Sequence, residues 1–167
     1  MKALKETYIL QQTKDIPDDL SELIDEVSDF HTYDDVKKWN VNWDSENNEF
    51  LKEIGLPVSA PTMIDFISPA QDEGEYIHIG HNNYGDKIII LKNNGNVVFI
   101  NHDLNDRIEY MNKDVISLFK SICTFVDMMK GSNNYIERIN EFDSDAYTEG
   151  KWWFVEYLGY KERKNNL

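Results

Sequence analysis

The residues best suited to chemistry are the histidines near strand ends. His78 and His81 close one candidate strand, and His102 with Asp103 closes another. Imidazole and carboxylate together make a metal donor set, and a metal-dependent hydrolase would use His78, His102 and Asp103. Strand parity opposes this: positions i and i+3 point to opposite faces, so only one of His78 and His81 is expected to reach His102. Histidines satisfied locally or turned to water are the plainer reading, and no metal or other cofactor is expected. The single cysteine, Cys123, falls on an apolar helical stripe, where a thiol is inert packing. No Gly-rich phosphate loop, no Gly-x-Ser-x-Gly elbow and no His-Glu-x-x-His occurs, so no catalytic residue is assigned and a non-enzyme is expected.

The other chemistry on offer is charge. The chain carries 31 acidic against 17 basic residues, a formal net charge of −14. Such a surplus repels phosphate backbones and anionic membrane surfaces, which excludes both as expected partners. It serves solubility, and it also suits a basic protein partner, where it speeds encounter and suppresses wrong pairings. Asp18, Asp19, Glu22, Asp25, Glu26 and Asp29 share one face of a candidate helix, with no basic residue from Asp15 through Asp35. Asp72, Glu73 and Glu75 crowd a polar loop. These nine are the candidate partner-binding residues, pairing with lysine and arginine. The acids of the helix are too numerous and too unpaired to single out a general acid and base. Trp39, Trp43, Trp152 and Trp153 suit binding anchors, but core packing is their expected role; neighbours on a helix point about 100° apart, so one of the last two is expected to reach the rim.

The elements that position these residues follow from periodicity. Met1–Lys14 reads as a short strand or loosely docked segment, and Asp15–His31 as a helix with the stripe Leu20, Leu23, Ile24, Val27, Phe30. Short helices are expected at Tyr33–Trp39 and Asp44–Ile54; Gly55 suits a left-handed helix stop, and Pro57 blocks continuation. Ser59–Ile67 reads as a strand or extended arm, which Pro61 confines to an edge or to the strand's start, and Ser68–Glu75 as a polar loop. Tyr76–Gly80, Lys87–Lys92, Asn96–Asn101 and Arg107–Met111 read as a strand meander. Its unbroken apolar runs, Ile88–Leu91 and Val97–Ile100, suit strands covered on both faces. Asn93-Asn94-Gly95 supplies the hairpin turn, and Asn112 is expected to cap a helix carrying Val115, Phe119, Ile122 and Val126. Tyr135–Phe142 and Lys151–Tyr160 read as helices, with Gly159 as a stop and Lys161–Leu167 as a frayed tail. One domain is expected at this length. Met1–Leu10 lacks the apolar core and cleavage site of a signal peptide, and no run reaches the roughly 20 apolar residues of a membrane span, so a cytoplasmic location is expected.

Three of these pieces in order resemble the SUKH superfamily of bacterial immunity proteins. Phe50-Leu51-Lys52-Glu53-Ile54-Gly55-Leu56-Pro57 is similar to that family's helix exit. The Asn94-Gly95 hairpin, then Ile108-Glu109-Tyr110-Met111-Asn112, then Phe119 through Phe125, resembles its passage from last strand to helix. At Lys113 and Asp114 small hydroxyl residues are more usual. The resemblance implies an α+β domain: a mainly antiparallel sheet of about five or six strands with N-terminal and C-terminal helices packed on it. It implies a non-enzymatic protein that binds and neutralises a cognate bacterial toxin with a basic surface, often a nuclease. The alternative is a regulatory scaffold of the same fold that binds another intracellular protein.

Overall fold

The computed structural model describes residues 1–14, 28–61 and 63–165. Its elements are α1 (Lys2–Thr13), β1 (Phe30–His31), a 3-10 helix (Val36–Trp39), α2 (Ser45–Glu53), β2 (Leu56–Pro57), β3 (Ser59–Ala60), β4 (Ile64–Asp72), β5 (Tyr76–Asn82), β6 (Lys87–Leu91), β7 (Val97–Asn101), a second 3-10 helix (His102–Leu104), β8 (Arg107–Asn112), α3 (Val115–Met129), α4 (Tyr135–Phe142) and α5 (Trp152–Asn165). The fold class is α+β, as expected. Strands β3 to β8 form a six-stranded sheet in chain order, each antiparallel to the next, and β1 pairs with β2 in a separate two-stranded ribbon.

The meander forms where β-branched runs and turn chemistry coincide. Gly95 takes φ +75°, and its N–H closes the β6–β7 hairpin onto Leu91 O at 2.8 Å. Ile88 and Ile90 join Val97, Phe99 and Met111 in the main core with Leu118, Phe119, Ile122 and Val126 of α3. Ile89 and Val98, which point to the other face, are buried too. Phe119 is the hub of the helical side, with Tyr8, Phe30 and Phe50 rings at centroid distances of 5.9, 5.8 and 5.5 Å. Asp127 of α3 accepts hydrogen bonds from Gln11 and Arg138, so α1 and α4 are tied to the same helix.

Several expected boundaries moved. Residues 1–14 are helical rather than extended, and the helix docks through buried Tyr8. Most of the expected Asp15–His31 helix lies outside the described residues, but its last two are strand β1, paired with Leu56 and Pro57. Gly55 allows this approach, since a Cβ there would lie 2.0 Å from His31 O. Ser68–Asp72 belongs to β4 rather than to a loop. Beyond Phe66 that strand has no partner on its β3 side among the described residues, and the register with β5 slips between Phe66 and Gln71, so Pro69 blocks no ladder bond there. The cap of α3 is Asp114, whose carboxylate accepts Ser117 N–H at 2.7 Å, while Asn112 is the buried end of β8. Helix α5 runs through Gly159 into the expected tail. Among the described residues no helix is long and apolar enough to cross a membrane.

Candidate binding surface

Four of the nine candidate acids, Asp29, Asp72, Glu73 and Glu75, fall among the described residues. Asp18, Asp19, Glu22, Asp25 and Glu26 lie outside the described residues. Asp29 is exposed, and its backbone carbonyl accepts Val58 N–H at 2.9 Å. Asp72 and Glu73 are not bare charges. Lys92 Nζ donates to both oxygens of Asp72 at 2.7 and 2.8 Å, and Lys87 Nζ does the same for Glu73 at 2.7 and 2.8 Å. These lysines hold both carboxyls below their usual range, helped by Gly74 N–H at Asp72 and by Tyr76 Oη at Glu73. Lys87 opens β6 and Lys92 follows its last residue, so no local pattern in the loop announces the pairing. Glu75 is exposed with an unpaired side chain among the described residues, and its backbone carbonyl accepts Lys92 N–H at 3.0 Å.

Asp72 stands at one end of a cleft of about 630 Å³ between the first 3-10 helix and the Ser68–Asp72 part of β4. Tyr33 braces it: the hydroxyl donates to Ile67 O at 3.0 Å, and the ring meets Trp39 edge-on at 5.5 Å. Pro69 and Ala70 form the facing wall, and Asp34 and Asp35 stand at the rim. Asp35 pairs with Lys38 at 2.6 Å, with both side chains largely in water, and Asp34 is unpaired among the described residues.

The histidines lie elsewhere on the sheet. The β5–β6 register slips between His78 and Gly80, with Ile79 as the extra residue. That bulge reverses the expected parity, so His78 and His81 line one hollow with Asp65 and Lys87. Gly80 was the only hint in the sequence; a Cβ there would lie 2.5 Å from Asp65 O. His78 is 9% exposed and its Nε2–H donates to Gly80 O at 2.9 Å. Its Nδ1 has no hydrogen-bond partner among the described residues and lies 3.5 Å from Glu73. Burial pushes its pKa down.

His102 is committed differently. Its Nδ1–H and backbone N–H both donate to Asp86 Oδ1, at 2.6 and 3.0 Å, and Asn82 Nδ2 donates to Asp86 Oδ2 at 2.9 Å. Burial alone would raise the Asp86 pKa, but these donors hold it below its usual value, and Asp86 in turn raises that of His102. An Asp–His pair with an outward Nε2 has the form of a general base, yet that nitrogen faces Asp103 at 3.3 Å and no Ser, Thr or Cys lines the adjoining hollow. His78 is thus held by the Gly80 carbonyl and His102 by Asp86, and among the described residues no three His, Cys, Asp or Glu side chains are placed to hold a metal ion. Asp86 is the residue that sequence reasoning missed; its place in Asn82-Asn83-Tyr84-Gly85-Asp86, where Asn82 Oδ1 accepts the N–H groups of Tyr84 and Asp86 at 3.0 Å each, marks a turn. Burial pushes the Cys123 thiol pKa far up, as inert packing requires.

The tryptophans are packing residues. Trp153 is fully buried and its Nε1–H donates to Asn112 Oδ1 at 2.8 Å. Trp152 is buried as well, 5.0 Å from Phe99, so neither of the two reaches the rim as one was expected to. Trp39 is buried, and Trp43, half-buried, donates to Asn48 Oδ1 at 3.1 Å. No family model matches the chain, and neither a curated protein nor a solved structure does.

Proposed function

We propose that this chain is an immunity protein: a binding protein, not an enzyme, that neutralises a cognate bacterial toxin by covering a basic surface on it. The observation that carries this reading is the uncompensated acid at the surface. Asp34, Glu46, Glu49, Glu53 and Glu75 stand exposed with no lysine or arginine bound to them among the described residues, in a chain whose net charge is −14. A toxin that cleaves nucleic acid needs a basic groove for its substrate, and an acidic inhibitor meets that groove as a phosphate backbone does. The commitment of His78 to Gly80 O and of His102 to Asp86 is consistent with binding rather than turnover. The α+β architecture and the passage from β8 through the Asp114 cap into α3 accord with the SUKH resemblance.

The test is co-expression with the product of any toxin-like gene found beside its own. Cells are expected to survive, and the two proteins to elute as one complex whose affinity falls steeply as salt is raised. Survival without a complex, or a complex indifferent to salt, would remove this reading.

A further inference from the structure

The cleft between the first 3-10 helix and β4 sets apolar side chains beside carboxylates. Its walls are apolar, from Trp39, Pro69 and Ala70, and its rim carries three carboxylates, Asp34, Asp35 and Asp72. An arginine side chain has the matching form: an apolar stem that lies along such walls, and a planar cation whose five N–H donors need more than one carboxylate. A lysine ammonium is a strongly hydrated point charge and gains less from a divided rim.

We propose that this cleft receives an arginine side chain of the partner protein; the inference rests on the reading above and names the place where the basic surface is held. Asp34 is the carboxylate available to it. Asp35 is held by Lys38 in an ion pair with side chains 70% and 77% exposed, a kind that contributes little net stability, so the incoming guanidinium displaces that ammonium at small cost. Asp72 stays with Lys92, which anchors the carboxylate at the far end of the rim. The brace from Tyr33 Oη to Ile67 O spans the two walls, so the cleft is formed before its ligand arrives.

The test needs no knowledge of the partner. The full chain, labelled with nitrogen-15, is titrated with Nα-acetyl-arginine methylamide and, separately, with the citrulline analogue, which has the same shape without the charge. The arginine amide is expected to give saturable shifts centred on the Trp39 indole N–H and the Ala70 amide, and the citrulline amide none. Asp34→Asn should weaken the arginine amide about fivefold, while Glu137→Gln, an exposed change away from the cleft, leaves it unchanged. Equal shifts from the two amides, or arginine shifts that fail to saturate or spread across the acidic surface, overturn the proposal. The two readings fail separately. If the cleft takes the amide but no toxin is neutralised, the cleft stands without the immunity reading; a toxin complex whose affinity ignores Asp34→Asn removes the cleft alone.

Discussion

Two buried carboxylates show two ways of hiding an acid in an acidic protein. Asp143 and Asp86 are 6% and 7% exposed. Asp143 takes its hydrogen bonds from neutral groups: Tyr110 Oη at 2.9 Å, Asn112 Nδ2 at 3.1 Å and Lys113 N–H at 2.8 Å. It thereby locks the segment after α4 to the end of β8. Asp86 leans on Asn82 and on both the ring and the backbone of His102, whose side chain is half in water. The first site is a knot of neutral donors; the second includes an imidazole whose pKa is raised from its ordinary 6.5. The difference assigns rigidity to the helical end of the sheet and pH sensitivity to the turn between β5 and β6.

The largest effect that sharpens this contrast is loss of the knot. Asp143→Ala strands three buried or half-buried donors at once and is expected to cost about 3 kcal/mol of stability, read as a lowered denaturation midpoint. Asp86→Ala frees groups that water reaches more easily, and a loss of about 1 to 2 kcal/mol is expected. Equal losses from the two substitutions would break the comparison.

The smallest effect is the pH response. The folded pKa of His102 is raised above its ordinary 6.5, so its contribution is fully present below that value and is lost as pH rises through the folded pKa. The stability gap between the native chain and His102→Gln should therefore narrow as pH rises from 6.5 through the folded pKa, and an NMR titration should place the His102 midpoint above 6.5. A gap constant with pH would mean that the Asp86–His102 contact does not form in solution. Asp86 has the opposite sign: its contribution holds above the ordinary carboxylate pKa of 3.8 and fades as acid protonates it.

What the sequence disclosed was whatever neighbouring residues decide among themselves. The runs at 88–91 and 97–100, the Asn94-Gly95 turn, the stripe of α3 and the exact span of α4 were all legible in their own composition. What stayed hidden depended on distant partners. Helix α1 has little stripe of its own and is held by Tyr8 against Phe30 and Phe119. Pro69 marked Ser68–Asp72 as unsuited to a strand, yet an open edge and a bulge absorb it. At the candidate surface, the acids at 72 and 73 were visible but not the lysines opposite them. The wall of the cleft was hidden for the same reason, since Trp39 and Pro69 are thirty positions apart.

The bond from Trp153 to Asn112 also sets a timetable. Synthesis delivers the meander first, and its hairpins can close while the ribosome is still many residues short of the indole. Until residue 153 emerges, the acceptor at the end of β8 lacks its donor and Phe99 lacks its cover. The nascent sheet must therefore wait with one flank bare, and chains halted just before Trp152 should be cut by protease within residues that the finished molecule protects.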